Sequence, residues 1–195
     1  MVPIQRAILS VFDKEDIDKL GLFLKDRAVH ILSTGGTGRA LKKYGVDYQE
    51  VSDYTGSPEM LGGRVKTLHP KIHGGLLFKR NDPVQVAEAE KHGVQPIDLV
   101  AVNLYPFKQT IQKPGVTVDI ATENIDIGGP TMIRAAAKNF NAVTVITDPK
   151  DYNLIIEEIK KDNGVSYETR KKLAAKAFAH TSEYDHAITN YLSNL

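Results

Sequence analysis

Cysteine is absent from the 195 residues, which excludes a disulfide framework, a thiolate nucleophile and any Cys-ligated zinc or iron–sulfur site. The lack fits a reducing compartment. Tryptophan is absent too, and aromatics reach only 7%, so most Tyr and Phe are expected in the core. Charge of one sign is missing: 25 Lys+Arg face 24 Asp+Glu for a formal net charge of +1, which argues against a dedicated nucleic-acid or membrane-surface binder. No run approaches the roughly 20 apolar residues of a membrane span. The start, Met1-Val2-Pro3-Ile4-Gln5-Arg6, lacks the basic-then-apolar layout of a signal peptide, so a cytoplasmic location is expected. What is present is ordinary for a globular protein, with 42% hydrophobic and 25% charged residues, enough for a real core.

Short β-branched runs alternate with helical patterns through residue 150. Ala7 to Val11, Val29 to Ser33, a shorter Val46 to Val51, Leu99 to Asn103 and Ala142 to Ile146 read as strands. Helical spacing follows the first strand at Ile17, Leu20, Phe23 and Leu24, behind Asp13 as N-cap. Another helix follows the second strand and ends near Tyr44-Gly45, and a third runs from Pro83 to His92-Gly93. Alternation of this kind implies βαβ units, so the expected fold is α/β, a doubly wound parallel sheet of about five strands over residues 1–150. Residues 151–195 read as a helical extension, Asp151 to Lys161 and then Ser166 to about Asn194. Leu173, Ala177, Phe178, Tyr184, Ile188 and Leu192 form its candidate apolar stripe. Between Ser52 and about Lys79 the periodicity fades, and the segment reads as a long irregular loop anchored by apolar residues.

Ligands in open parallel sheets bind beyond the carboxyl ends of the strands, which directs attention to the residues just after each one. Ser33-Thr34-Gly35-Gly36-Thr37 can point consecutive N–H groups at one anion at a helix N-terminus; the plain alternative is a tight turn capped by Thr. It has neither the G-x-G-x-x-G spacing of a dinucleotide site nor a P-loop ending. Ile127-Gly128-Gly129-Pro130-Thr131 is a second such helix opening. Asp126 precedes it and Lys138 follows about two turns later on the same side, so the carboxylate can be held ionised and aimed. Arg64 and Lys66, two residues apart, would share one side of an extended segment; a solvated basic face is the alternative. His69 and His73 stand four apart, but Pro70 and Gly74-Gly75 argue against the helix that would converge them on a metal, and no Gly-x-Ser-x-Gly elbow supports a hydrolase triad.

Taken together, the motifs resemble a known family, the IMP cyclohydrolase domain of the bifunctional purine-biosynthesis enzymes, whose other half is AICAR transformylase. The resemblance rests on Ile8-Leu9-Ser10-Val11, Ser33-Thr34-Gly35-Gly36-Thr37, Gly62 to Pro70, Val102-Asn103-Leu104-Tyr105-Pro106-Phe107, Ile125 to Thr131 and Arg134 to Asn139, in that order. It implies a methylglyoxal synthase-like fold, a homodimer, no cofactor or metal, and closure of formyl-AICAR to IMP with loss of water. It also implies that Ser10, Lys14, Thr34, Gly35, Gly36, Thr37, Arg64, Thr67, Asn103, Ile127, Gly128 and Gly129 contact the nucleotide. Lys66, Tyr105, Asp126 and Lys138 become the catalytic group. Where the family shows Ser-Val-Ser-Asp-Lys-Thr-Gly, this chain has Phe12 at the third position and Glu15-Asp16 at the end, so one hydroxyl contact is missing and two acids stand near the expected phosphate. A methylglyoxal-synthase-type phosphate lyase and a non-catalytic nucleotide-sensing module, such as the regulatory domain of a carbamoyl-phosphate synthetase, would share the anion seat. The Ile125 to Thr131 and Leu104 to Phe107 segments fit the cyclohydrolase better than the lyase, to which the helical tail is surplus, and the module does not need Lys66, Tyr105, Asp126 and Lys138 together.

Overall fold

A computed structural model describes residues 1–195. Along the chain run β1 (Arg6–Val11), α1 (Ile17–Asp26), β2 (His30–Ser33), α2 (Gly35–Lys43), β3 (Gln49–Glu50), α3 (Val51–Thr55), a 3-10 turn (Leu61–Gly63), α4 (Pro70–Leu77) and α5 (Pro83–Lys91). There follow β4 (Leu99–Asn103), α6 (Phe107–Ile111), α7 (Val118–Glu123), α8 (Gly128–Lys138), β5 (Thr144–Ile146), a second 3-10 turn (Pro149–Asp151), α9 (Tyr152–Asp162) and α10 (Tyr167–Leu192). The five strands are parallel in the order β3-β2-β1-β4-β5. The α/β expectation therefore holds. Strand order reverses between β1 and β4, where Ser10 pairs with Val102 and Val11 with Asn103, and this switch point opens a crevice at the carboxyl ends.

Ala7, Ile8 and Leu9 of β1 and Leu99, Val100 and Ala101 of β4 are fully buried, as central strands covered on both faces must be. One hydrophobic cluster of 41 residues joins them to Tyr152 and Ile155 of α9 and to Leu173, Ala177 and Tyr184 of α10. Phe178 and Leu192 fall off the expected stripe and stay exposed. Arg170 also belongs to the packing: it is 4% exposed, and its guanidinium donates to the carbonyls of Phe140, Asn141 and Val165. No helix is long and apolar enough to cross a membrane.

Several local expectations change. The third strand contracts to Gln49–Glu50 because Val51 opens α3, which ends at Gly56 with φ 73°. The expected long loop holds α3, the 3-10 turn and α4. Pro70 does not prevent α4, since it occupies the first turn, where its missing N–H is not needed, and the His69 imidazole accepts the Lys71 N–H at 3.1 Å as N-cap. Gly75 lets that helix approach its neighbour, for a Cβ there would lie 2.5 Å from the Gln95 carbonyl. The cap of α1 is Asp16 rather than Asp13, whose carboxylate instead accepts the Glu15 N–H at 3.0 Å.

Candidate active site

At the carboxyl ends of β1 and β4 lies a cavity of about 610 Å³ with three walls. The first is the opening of α2. Thr34 is its N-cap in extended conformation, and the Thr34 hydroxyl bonds the Ser10 hydroxyl at 2.9 Å. The N–H groups of Gly35 and Gly36 donate to no protein atom, so a free helix N-terminus faces outward. Lys14 and Lys66 flank the pair: a Cβ on Gly36 would meet Lys14 Nζ at 3.8 Å, and one on Gly35 would meet Lys66 Nζ at 3.8 Å. Thr37 departs from its expected role. Its buried hydroxyl donates to the Val11 carbonyl and accepts the Val11 N–H, both at 2.9 Å, so it ties α2 to β1 and has no proton left to donate to a phosphate.

The second wall is the segment after α3. Arg64 forms an ion pair with Glu123 of α7, both side chains being exposed. This pairing holds the Glu123 carboxyl below the usual range. Lys66 pairs with Glu59 at 2.6 Å. Thr67 is buried and packs on the third wall, the opening of α8, where a Cβ on Gly128 would lie 2.6 Å from Thr67 Oγ1.

In that third wall Asp126 Oδ1 accepts the Gly129 N–H at 2.8 Å, and the Asp126 N–H donates to the Tyr184 hydroxyl of α10 at 2.7 Å. Burial pushes the Asp126 carboxyl up, opposed by the N–H groups of Gly129 and Tyr105. The N–H groups of Ile127 and Gly128 have no protein acceptor. Asp126 thus points into a site ringed by unused donors.

Three expected residues sit elsewhere. Asn103 accepts the N–H groups of Phe12 (2.6 Å) and Asp13 (2.9 Å), and donates to the Asp13 carbonyl (3.0 Å). Its carboxamide holds the β1–α1 loop, keeps one amide hydrogen unused and lines the second cavity rather than the first. Tyr105 is at the rim, 39% exposed, with its ring edge-on to Phe12 at 4.5 Å between centroids. Lys138 is exposed at the far end of α8, about 15 Å from its opening at ~1.5 Å rise per residue. That length corrects the expectation that it faces Asp126 within one chain.

Lys14 lies between this cavity and a second of about 700 Å³, which it lines with Asp13, Asp148 and Lys176. Its ammonium donates to the Phe12 carbonyl at 3.0 Å. Of the two acids expected near the phosphate, Asp16 pairs with Lys19 at 2.7 Å. The sequence places Tyr184 only in the apolar stripe of the extension and signals no part in the site for Glu59 or Glu123. Tyr184 lies 58 positions from Asp126, and nothing local signals the contact. No three His, Asp or Glu side chains cluster as metal ligands would.

Comparison with known proteins adds a second line of evidence. Residues 17–131 match the model of the MGS-like domain, and residues 136–195 match that of the AICARFT/IMPCHase bienzyme. The chain is 55% identical over its whole length to the bifunctional purine biosynthesis protein PurH of Acidithiobacillus ferrooxidans, and 54% identical to that of Neisseria meningitidis. It spans 38% and 37% of those two proteins. The crystal structure of ForH superposes with a TM-score of 0.83 at 35% identity, covering 95% of this chain and 97% of that one.

Proposed function

The chain belongs to the MGS-like domain family and from residue 136 continues into the AICARFT/IMPCHase bienzyme pattern; on that premise we propose that it is an IMP cyclohydrolase, closing formyl-AICAR to IMP with loss of water. The observation that carries the reading is the meeting of Lys66 and Asp126 across one cavity that two glycine-opened helix N-termini also face. Such a site suits a small phosphorylated substrate whose two reacting arms must be held together.

In this reaction the carboxamide nitrogen attacks the formyl carbon and a C–N bond forms. The formyl oxygen leaves as water, taking one proton from the carboxamide nitrogen and one from the formamide nitrogen. Negative charge develops on that oxygen before it leaves. The Lys66 ammonium and the free N–H groups of Ile127 and Gly128 are the donors suited to it. Asp126, buried beside them, takes or orients the carboxamide proton. Tyr105, whose N–H already supports Asp126, relays protons from the rim. Lys14, Arg64, Thr34 and the Gly35-Gly36 turn receive the phosphate, which displaces Glu123 from Arg64.

Lys138 keeps a catalytic role in this reading through a homodimer that brings it from a second copy. Mixing Lys66→Ala with Lys138→Ala should then restore part of the lost turnover. Residues 1–150 and 151–195 act as a sheet domain and a helical extension that supports it. AICAR transformylase, in the same or a separate polypeptide, supplies the substrate in the cytoplasm, and the closure as written needs no cofactor.

Adding formyl-AICAR to the protein and following ultraviolet conversion to IMP tests the proposal. Lys66→Ala should lower kcat by about 100-fold or more while IMP still binds. No IMP from folded protein overturns the reading, and phosphate release from dihydroxyacetone phosphate would assign a lyase instead.

A further inference from the structure

The Lys66 ammonium has a partner that its proposed role does not require. Met60 and Val65 exchange backbone hydrogen bonds, Met60 N–H to the Val65 carbonyl at 3.1 Å and Val65 N–H to the Met60 carbonyl at 3.3 Å. Between them Leu61, Gly62 and Gly63 turn the chain with φ of 55°, 65° and 94°. In an antiparallel pair the flanking residues stand opposite one another. The residues flanking this pair are Glu59 and Lys66. The ion pair is thus set by the register of a tight hairpin rather than by chance encounter of two long side chains.

Two close approaches fix it further. A Cβ on Gly63 would lie 2.5 Å from Glu59 Oε1, so the carboxylate is tucked against the turn at a position that a side chain would fill. On its other side the ammonium stands 3.8 Å from where a Gly35 Cβ would be. Lys66 is therefore held between a carboxylate fixed by its own hairpin and the opening of α2. Arg64 is held differently: its partner Glu123 comes from another segment, and both side chains are more than half exposed, against 30% for Lys66.

We infer that Glu59 is a positioning residue of the site, holding the Lys66 ammonium beside the opening of α2, inside the cavity that Asp126 also lines, before substrate arrives. The inference rests on the cyclohydrolase reading. A lysine has a flexible four-carbon stem, and without Glu59 the ammonium samples rotamers that leave the site. Because the cyclohydrolase reading gives the phosphate to Lys14, Arg64, Thr34 and the Gly35-Gly36 turn and gives Lys66 a part in ring closure, the larger cost falls on the chemical step.

Glu59→Gln, Glu59→Asp and the unaltered chain separate the possibilities. Glu59→Gln should lower kcat by about tenfold, a modest share of what misplacing a catalytic group can cost, with KM and calorimetric IMP affinity within about twofold. Glu59→Asp, which restores the charge on a shorter arm, should recover part of kcat. A lysine-acylating reagent with peptide mass mapping reads the pairing independently of turnover, and Lys66 should label several-fold faster in Glu59→Gln. Unchanged kcat, equal loss of kcat and IMP affinity, or unchanged labelling of Lys66 overturns the inference. An unaltered chain that makes no IMP, with Lys66 labelling still dependent on Glu59, sinks the cyclohydrolase reading and leaves the pairing intact.

Discussion

A guanidinium already paired with a carboxylate binds a phosphate more weakly, because one anion must leave before the other is seated. Arg64 and Glu123 are in this state. Exposed pairs are worth little, so Glu123→Gln should tighten inorganic phosphate binding by about two- to fivefold by calorimetry, and the gain should shrink at high salt. Asp126 makes a different prediction. Its folded pKa lies above the ordinary carboxylate value because burial penalises the charge, so its contribution to stability is full below the unfolded pKa and is lost as pH rises through the folded one. Relative to Asp126→Asn, the unaltered protein should lose denaturant stability as pH rises from about 4 to neutrality, while the acid limb of its kcat profile disappears in the variant. Asp126 was legible in sequence because it precedes a glycine-opened helix. For Asn103, sequence does not reveal that its carboxamide oxygen and one of its two amide hydrogens are engaged by the neighbouring loop.

Elements meet at the site through residues that lack side chains. A Cβ on Gly129 would lie 2.5 Å from Asp126 Oδ2 and 2.7 Å from Leu104 Cδ2. Gly129→Ala should destabilise the fold by about 1–3 kcal/mol as an overpacked contact and lower turnover further by shifting Asp126, measured by a urea melt beside the ultraviolet assay. The main strands were legible because buried parallel strands leave continuous apolar runs. The α4 helix was not, since Pro70, Gly74 and Gly75 read as breakers until Gly75 is seen to admit the Gln95 carbonyl and His69 to cap the first turn. Likewise β3 shrank because Val51 serves the first turn of α3 as readily as a strand.

Across the whole molecule, the near-zero net charge conceals a local arrangement. Lys14 and Lys66 flank one helix opening, with Arg64 on the adjoining wall, while carboxylates at Glu59 and Glu123 balance them at close range. The helical extension supports the same site from behind. Tyr184→Phe removes the acceptor of the Asp126 N–H, at a cost of about 1–3 kcal/mol for a donor left without a partner, and should lower kcat more than IMP affinity in a steady-state assay. This long-range contact was invisible in sequence, where the tail read only as an amphipathic cover.

That contact also sets an order of events during synthesis. Asp126 is made long before Tyr184, and its backbone N–H waits for a hydroxyl from α10. A nascent chain can therefore assemble its sheet and its anion seat while still short of a competent site, and in refolding the return of turnover should lag the return of strand signal. The sheet and the anion seat are thus in place before α10 arrives to complete the wall that carries Asp126.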